Sequence, residues 1–163
     1  MQRSHIATSP TSDTEVAEFA GQLFFRLWRA SHTRIAEALE SVGLTPALFG
    51  VLNVLGAREG AIQQEIGSAM GIDPSTMVSL IDELESAGLA KRRPHPTDRR
   101  ARTVVITPKG RRLLERGRRM SAQVEDEVLR GLSASERREL LTLLRRALSS
   151  APPQPLWRAE EGD

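Results

Sequence analysis

The sequence predicts a mainly α (α+β) domain, and three observations carry that expectation. Apolar residues recur at three- and four-residue spacing over most of the chain. Helix punctuation repeats along it: Thr45-Pro46 and Asp73-Pro74 are cap-then-proline starts, and Gly43, Gly71 and Gly88 stand where helices end. One stretch, Thr103-Val104-Val105-Ile106-Thr107, is β-branched enough to read as a strand.

Residues 1–11 are polar and read as a disordered tail. Ser12-Asp13-Thr14-Glu15 fits a capping box, in which the hydroxyl and the Glu satisfy free N–H groups at a helix start. Val16, Phe19, Leu23, Phe24, Leu27, Ile35, Leu39 and Val42 then give one long helix over residues 12–43 with a wide apolar face. A second helix from Pro46 is lined by Leu48, Val51, Leu52 and Leu55. A third covers Gln63 to Met70, with Gln63 where a Ser or Thr cap is usual. The fourth starts at Pro74, carries Met77, Leu80, Ile81 and Leu84 as its core stripe, and runs to Ala87. Two helices joined by a tight glycine-containing turn make a helix-turn-helix.

After Gly88 the period changes. Leu89–Arg93 and Thr103–Thr107 are expected to pair across Pro94-His95-Pro96-Thr97-Asp98, giving a hairpin, or wing, with Arg at its tip. Pro108 opens a long helix bearing Leu113, Leu114, Met120, Val124 and Val128. Ser133-Ala134-Ser135-Glu136 is a second capping box before a leucine-rich last helix, and residues 151–163 read as a flexible tail. The expected architecture is a winged helix-turn-helix lobe over 44–110, flanked by dimerisation helices over 12–43 and 111–150.

The dimer follows from burial. A first helix of ~30 residues would be ~45 Å long, too long to cover its apolar face on one small lobe. The last two helices present similar leucine stripes, and mutual burial in a two-fold homodimer solves both problems.

The 163 residues hold 23 Lys+Arg and 21 Asp+Glu, for a net charge of +2. That near-neutrality hides segregation. Residues 91–119 contain twelve bases, mostly Arg, and two acids, which leaves −8 on the rest. Solubility does not require segregated signs, so a cationic stretch on an acidic body points to nucleic acid, whose phosphates suit the planar guanidinium. Zero cysteines exclude a disulfide framework, a thiolate zinc site and a Cys nucleophile. With His5, His32 and His95 the only histidines, and no H-E-x-x-H, G-x-S-x-G or Gly-rich phosphate loop, no enzyme, cofactor or metal site is expected. No apolar run approaches the ~18–20 residues that span a bilayer, and the first residues lack the apolar region of a secretory signal. A cytoplasmic protein without a membrane partner is expected.

GLTPALFGVLNVL, IGSAMGIDPSTMVSLIDELESAGLAKR and DRRARTVVITPKG, over about residues 44–117, closely resemble the MarR-type winged-helix transcription regulators. The most specific element is Asp98-x-Arg100 followed by Val104-x-Ile106-Thr107-x-x-Gly110, which is similar to that family's wing signature. The resemblance implies a homodimer that places a recognition helix in the major groove and a wing in the minor groove of a pseudo-palindromic operator. It also implies a repressor released by a small aromatic or phenolic ligand.

On this reading Ser75, Thr76, Val78 and Ser79 face base edges and phosphates, helped by free N–H groups at the helix start. Arg92, Arg93, Arg99, Arg100 and Arg102 supply phosphate neutralisation, with Arg100 in the minor groove and Asp98 positioning the wing. Residues 73–90 contain no base, and Asp73, Asp82, Glu83 and Glu85 make the reader helix locally acidic. Bidentate Arg–guanine reading from it is therefore ruled out. Phe25, Trp28, His32 and Arg29 are the candidates for the ligand site. Phe24 and Phe49 read as core, and His32 taken singly as an interface residue. The rival is a helical adaptor whose Arg stretch meets an acidic protein.

Overall fold

In a computed structural model, which describes residues 19–58, 60–95 and 102–150, six helices surround one small sheet. In chain order these are α1 (Ala20–Glu40), α2 (Pro46–Gly56), β1 (Ala61–Ile62), α3 (Gln63–Met70), α4 (Pro74–Ser86), β2 (Ala90–Pro94), β3 (Arg102–Ile106), α5 (Pro108–Val128) and α6 (Ala134–Ser150). The antiparallel sheet has the order β1-β3-β2, with Arg92 opposite Val104 and Pro94 opposite Arg102.

Local chemistry explains most boundaries. Thr45 accepts from the Leu48 N–H at 3.2 Å and is followed by Pro46, so α2 starts where cap and fixed φ coincide. Gly43, Gly71 and Gly88 all have φ between 64° and 76°, the left-handed conformation that ends a helix with least strain in glycine. At the start of α6, Ser133 and Glu136 form the expected capping box: the Glu136 carboxylate accepts from Ser133 N–H at 2.7 Å, and Ser133 Oγ accepts from Glu136 N–H at 3.4 Å. The Gln63 position has half of that device. Ile62, the residue before α3, has no side-chain oxygen, but the Glu65 carboxylate accepts its N–H at 3.0 Å.

The core lies in the lobe. Leu48, Val51, Leu52 and Leu55 of α2 meet Ile66 and Met70 of α3, Met77, Ile81 and Leu84 of α4, Val104 of β3 and Leu114 of α5. Leu39 joins them from the end of α1. Among the described residues no polar or charged side chain is buried, so burial of apolar surface is what holds the lobe together.

The structure departs from expectation in four places. The first helix starts at Ala20, with Phe19 extended as its N-cap, instead of running unbroken from Ser12; the Ser12–Glu15 box lies outside the described residues. Helical turns need packing to persist, and the side of α1 from Phe19 to Phe25 meets little of its own chain. Phe24 is thus 53% exposed where core was expected, whereas Phe49 does pack against the core. The two wing strands are each displaced by one residue from the expected spans. Thr107 leaves the sheet because its hydroxyl caps α5, accepting from Gly110 N–H at 3.0 Å. Finally β1, a two-residue strand too short to show any period, was not foreseen.

The helices outside the lobe are sparsely covered. No residue of α6 is buried, and an Arg137–Asp126 ion pair ties it to α5. Leu143 and Leu148 project from it, and Leu23, Phe24, Phe25 and Trp28 from α1. Among the described residues no helix is long and apolar enough to cross a membrane.

Candidate nucleic-acid interface

Helix α4 has two faces. Met77, Ile81 and Leu84 are fully buried, while Ser75, Thr76, Val78, Ser79, Asp82 and Glu83 are exposed. The four expected readers thus lie on the outward side, and Val78 is a large apolar side chain left 40% exposed there.

The start of α4 is closed, contrary to the expectation of free N–H groups. Asp73 Oδ1 accepts from Ser75 N–H at 3.0 Å, from Thr76 N–H at 2.9 Å and from the Ser75 hydroxyl at 2.5 Å. Pro74 has no N–H, and Met77 N–H donates to the Asp73 carbonyl at 3.0 Å. Hydrogen bonds from the Ser75 and Thr76 side chains, then from the Thr76 N–H, hold the Asp73 carboxyl well below the usual carboxylate range. Ser75 has therefore spent its proton on the cap. Ser79 keeps a freer hydroxyl, which makes only a long 3.4 Å contact to the Ser75 carbonyl.

Arg92 is placed differently from the phosphate contact expected of it. Successive side chains in a strand point to opposite faces. In β2 this parity turns Arg92 toward α4, opposite buried Val104, and leaves Lys91 and Arg93 exposed. Its Nη1 lies 2.6 Å from Asp82 Oδ1 and in direct contact with Glu85 Oε2, while its backbone N–H donates to Glu85 Oε1 at 2.5 Å. Partial burial works to lower the Arg92 pKa, but the hydrogen bonds it donates to Asp82 and Glu85, with their negative charge, outweigh it and hold the pKa above the ordinary guanidinium value. The acidity that the sequence assigned to the reader helix is thus partly neutralised by the next element. Sequence alone held a signal for this: Arg92 lies two residues, one strand repeat, beyond inward-facing Ala90.

Wing and reader helix share a base. Thr107 Oγ1 is placed to donate to the Gly88 carbonyl at 2.8 Å, and Lys109 Nζ donates to the Ala87 carbonyl at 2.7 Å. A cation at the C-terminus of α4 complements the helix dipole. Arg102 is exposed at the start of β3. Asp98, Arg99 and Arg100 lie outside the described residues. Beyond the wing, Arg111, Arg112, Arg116 and Arg119 are exposed along α5, while Arg118 bonds Asn53 Oδ1 and Glu115 at 3.0 Å each.

Three of the four ligand candidates on α1 form a run of neighbouring rings, with the Phe25 centroid 6.1 Å from that of Trp28 and Trp28 stacked on His32. Phe25 and Arg29 line an open groove of about 580 Å³ with Arg26, Thr33, Arg34 and Glu37. Trp28 and His32, ring centroids 4.8 Å apart, lie beside that groove without lining it. A smaller apolar groove of about 270 Å³, missed by sequence reasoning, lies between α1, α5 and α6 and is lined by Leu27, Ile35, Val128, Leu140 and Leu144 with Ser121.

Residues 42–101 match the model of the MarR family. A putative transcriptional regulatory protein for the hcr operon of Thauera aromatica is 32% identical over 148 residues, spanning 88% of this chain and 89% of the relative. The chain belongs to the MarR family. The transcriptional repressor CouR, in a solved structure bound to a 23-mer DNA duplex, is 33% identical, with a TM-score of 0.73 over 86% of this chain and 99% of that one. BpsR of Bordetella bronchiseptica, solved in a study of how 6-hydroxynicotinic acid regulates its DNA binding, is 28% identical, with a TM-score of 0.71 over 84% of this chain and 97% of that one. As a MarR-family member the protein is a DNA-binding transcription regulator rather than an enzyme. In that winged-helix fold the α3–α4 pair is the helix-turn-helix and β2–β3 the wing.

Proposed function

We propose that this MarR-family protein acts in the cytoplasm as a homodimeric repressor, which binds a pseudo-palindromic duplex operator and leaves it when a small aromatic or phenolic acid binds. The observation that carries the reading is the outward face of α4. Thr76, Val78 and Ser79 are small, uncharged and exposed there, beside a cationic wing. Thr76 and Ser79 hydroxyls suit base edges or phosphates, and Val78 suits a thymine methyl. Arg93 and Arg102, with Arg99 and Arg100 of the wing tip, neutralise phosphate, and Asp98 positions the tip. Ser75 serves mainly as part of the cap.

With no base on α4, direct readout is modest and DNA shape supplies part of the discrimination. Two exposed apolar faces, on α1 and α6, support the dimer, which sets two recognition helices about one DNA turn apart. CouR is described as a repressor, and BpsR is described as responding to 6-hydroxynicotinic acid; both support the regulatory half. Phe25 and Arg29, with Trp28 and His32 beside them, remain the proposed ligand contacts.

Selection of bound sequences from a random duplex library tests this directly. An enriched inverted repeat, bound by a dimer and lost on adding a hydroxylated aromatic acid, is the expected result. No enrichment, with tight capture of an acidic protein instead, would establish the adaptor.

A further inference from the structure

We infer that Arg92 determines operator recognition as an electrostatic shield for the recognition helix, not as a phosphate contact. The inference rests on the DNA-binding reading above and adds a role for one residue within it. Helix α4 must enter an anionic groove, yet it holds Asp82, Glu83 and Glu85 and no base of its own. Asp82 is on the exposed side, one turn beyond Val78 and Ser79, and its side chain is 57% exposed. Left unpaired, that carboxylate faces phosphate and repels it, and like charges juxtaposed across an interface are costly.

The structure pairs it from behind. One guanidinium nitrogen of Arg92 serves both Asp82 and Glu85, and the Arg92 N–H adds a second bond to Glu85. The Arg92 side chain is 28% exposed, and the Glu85 side chain 30%. This is a half-buried cluster at the seam of wing and helix, not a pair waving in solvent. The bonds to Asp82 and Glu85 use one guanidinium nitrogen of Arg92, and strand parity directs its side chain away from the face that Arg93 occupies. Arg92 thereby offsets carboxylate charge at the seam while Lys91 and Arg93 stay exposed on the outer face of the wing, and discrimination falls to the small side chains of α4.

Three proteins test this against wild type, on the selected operator and on a random duplex, over a series of salt concentrations: Arg92→Gln, Arg92→Gln/Asp82→Asn/Glu85→Gln, and Asp82→Asn/Glu85→Gln. Counterion release makes the salt slope a count of phosphate contacts, about 0.9 per contact. A shield predicts that Arg92→Gln weakens operator binding about tenfold or more with an unchanged slope, because two carboxylates are uncovered and no contact is lost. The triple variant then recovers to within about threefold of wild type, since it has nothing left to shield. A slope reduced by about 0.9 per subunit in both Arg92 variants, with no recovery in the triple, would make Arg92 a phosphate contact and overturn the inference. If Arg92→Gln alone fails to fold, the triple and the double still decide, because the shield requires the two to bind alike with equal slopes. Wild-type protein that binds no duplex would instead remove the underlying reading.

Discussion

Gly110 of α5 lies directly against the backbone of Leu89: a Cβ built on Gly110 would stand 2.0 Å from the Leu89 carbonyl oxygen and 3.0 Å from Ile106 Cγ1. That carbonyl already accepts the Thr107 N–H at 2.9 Å, so it cannot withdraw without breaking the joint between recognition helix and α5. The glycine of the wing signature is therefore a packing requirement, because its neighbour is backbone and not the end of a flexible side chain.

Gly110→Ala is accordingly expected to destabilise the protein by about 1–3 kcal/mol or more, the usual range for overpacking. Gly131 is the control, since nothing lies within 4 Å of its Cβ position, and Gly131→Ala should be close to neutral. Urea unfolding of the two variants beside wild type checks this. Equal midpoints for both would mean that the close approach is relieved at no cost.

Gly110 also marks the limit of what sequence disclosed. Its place in the wing signature was visible, but its reason was not, because the Leu89 carbonyl is a neighbour in space. Elements announced by strong local chemistry were legible: Asp73-Pro74, Thr45-Pro46 and the Ser133–Glu136 box all cap the helices they were expected to cap. Tertiary burial was harder to read. Phe24 fits the apolar stripe of α1 yet is exposed, because helical periodicity marks a face without naming what covers it. For the site, the exposed positions of α4 followed from period 3.6. Charge alone marks Arg92 for phosphate, whereas strand parity turns its side chain toward Asp82 and Glu85 of α4.

The Asp73 cap should give stability a pH dependence of known sign. Its native pKa is depressed, so its contribution is fully present above the unfolded carboxylate value of about 3.9 and is lost as pH falls through the native value. Asp73→Ala should therefore melt at a lower temperature than wild type at pH 7. The difference should persist to about pH 4 and narrow steadily below it. A gap between the two melting curves that stays constant down to the lowest pH at which both remain folded would show that the charged form of the cap contributes nothing.

Arg93 and Arg92 are adjacent in sequence but are expected to behave in opposite ways. Arg93 is exposed on the outer side of β2, so Arg93→Ala should weaken operator and random duplex alike and lower the salt slope by about 0.9 per subunit. Arg100→Ala, in the sequence between β2 and β3, should do the same and also reduce any preference for narrow-groove, A·T-rich flanks. Fluorescence anisotropy with labelled duplexes at several salt concentrations measures both effects. An Arg93→Ala slope identical to wild type would remove that side chain from the contact surface.

The proposed dimer can be tested on α6. Leu148 and Leu143 are 71% and 45% exposed on a helix with no buried residue, and full burial of such a side chain contributes about 1.5–3 kcal/mol. Two-fold symmetry counts every substitution twice, so Leu143→Glu/Leu148→Glu should convert dimer to monomer in sedimentation at micromolar concentration. The lobe should survive, because none of its core residues lies on α6: most helical signal is retained and the melting transition remains cooperative. Operator binding should collapse to the affinity of a single half-site, since the second recognition helix no longer arrives with the first. A double variant that stays dimeric would move the interface off this face of α6 and leave the exposed aromatic side of α1 to carry it.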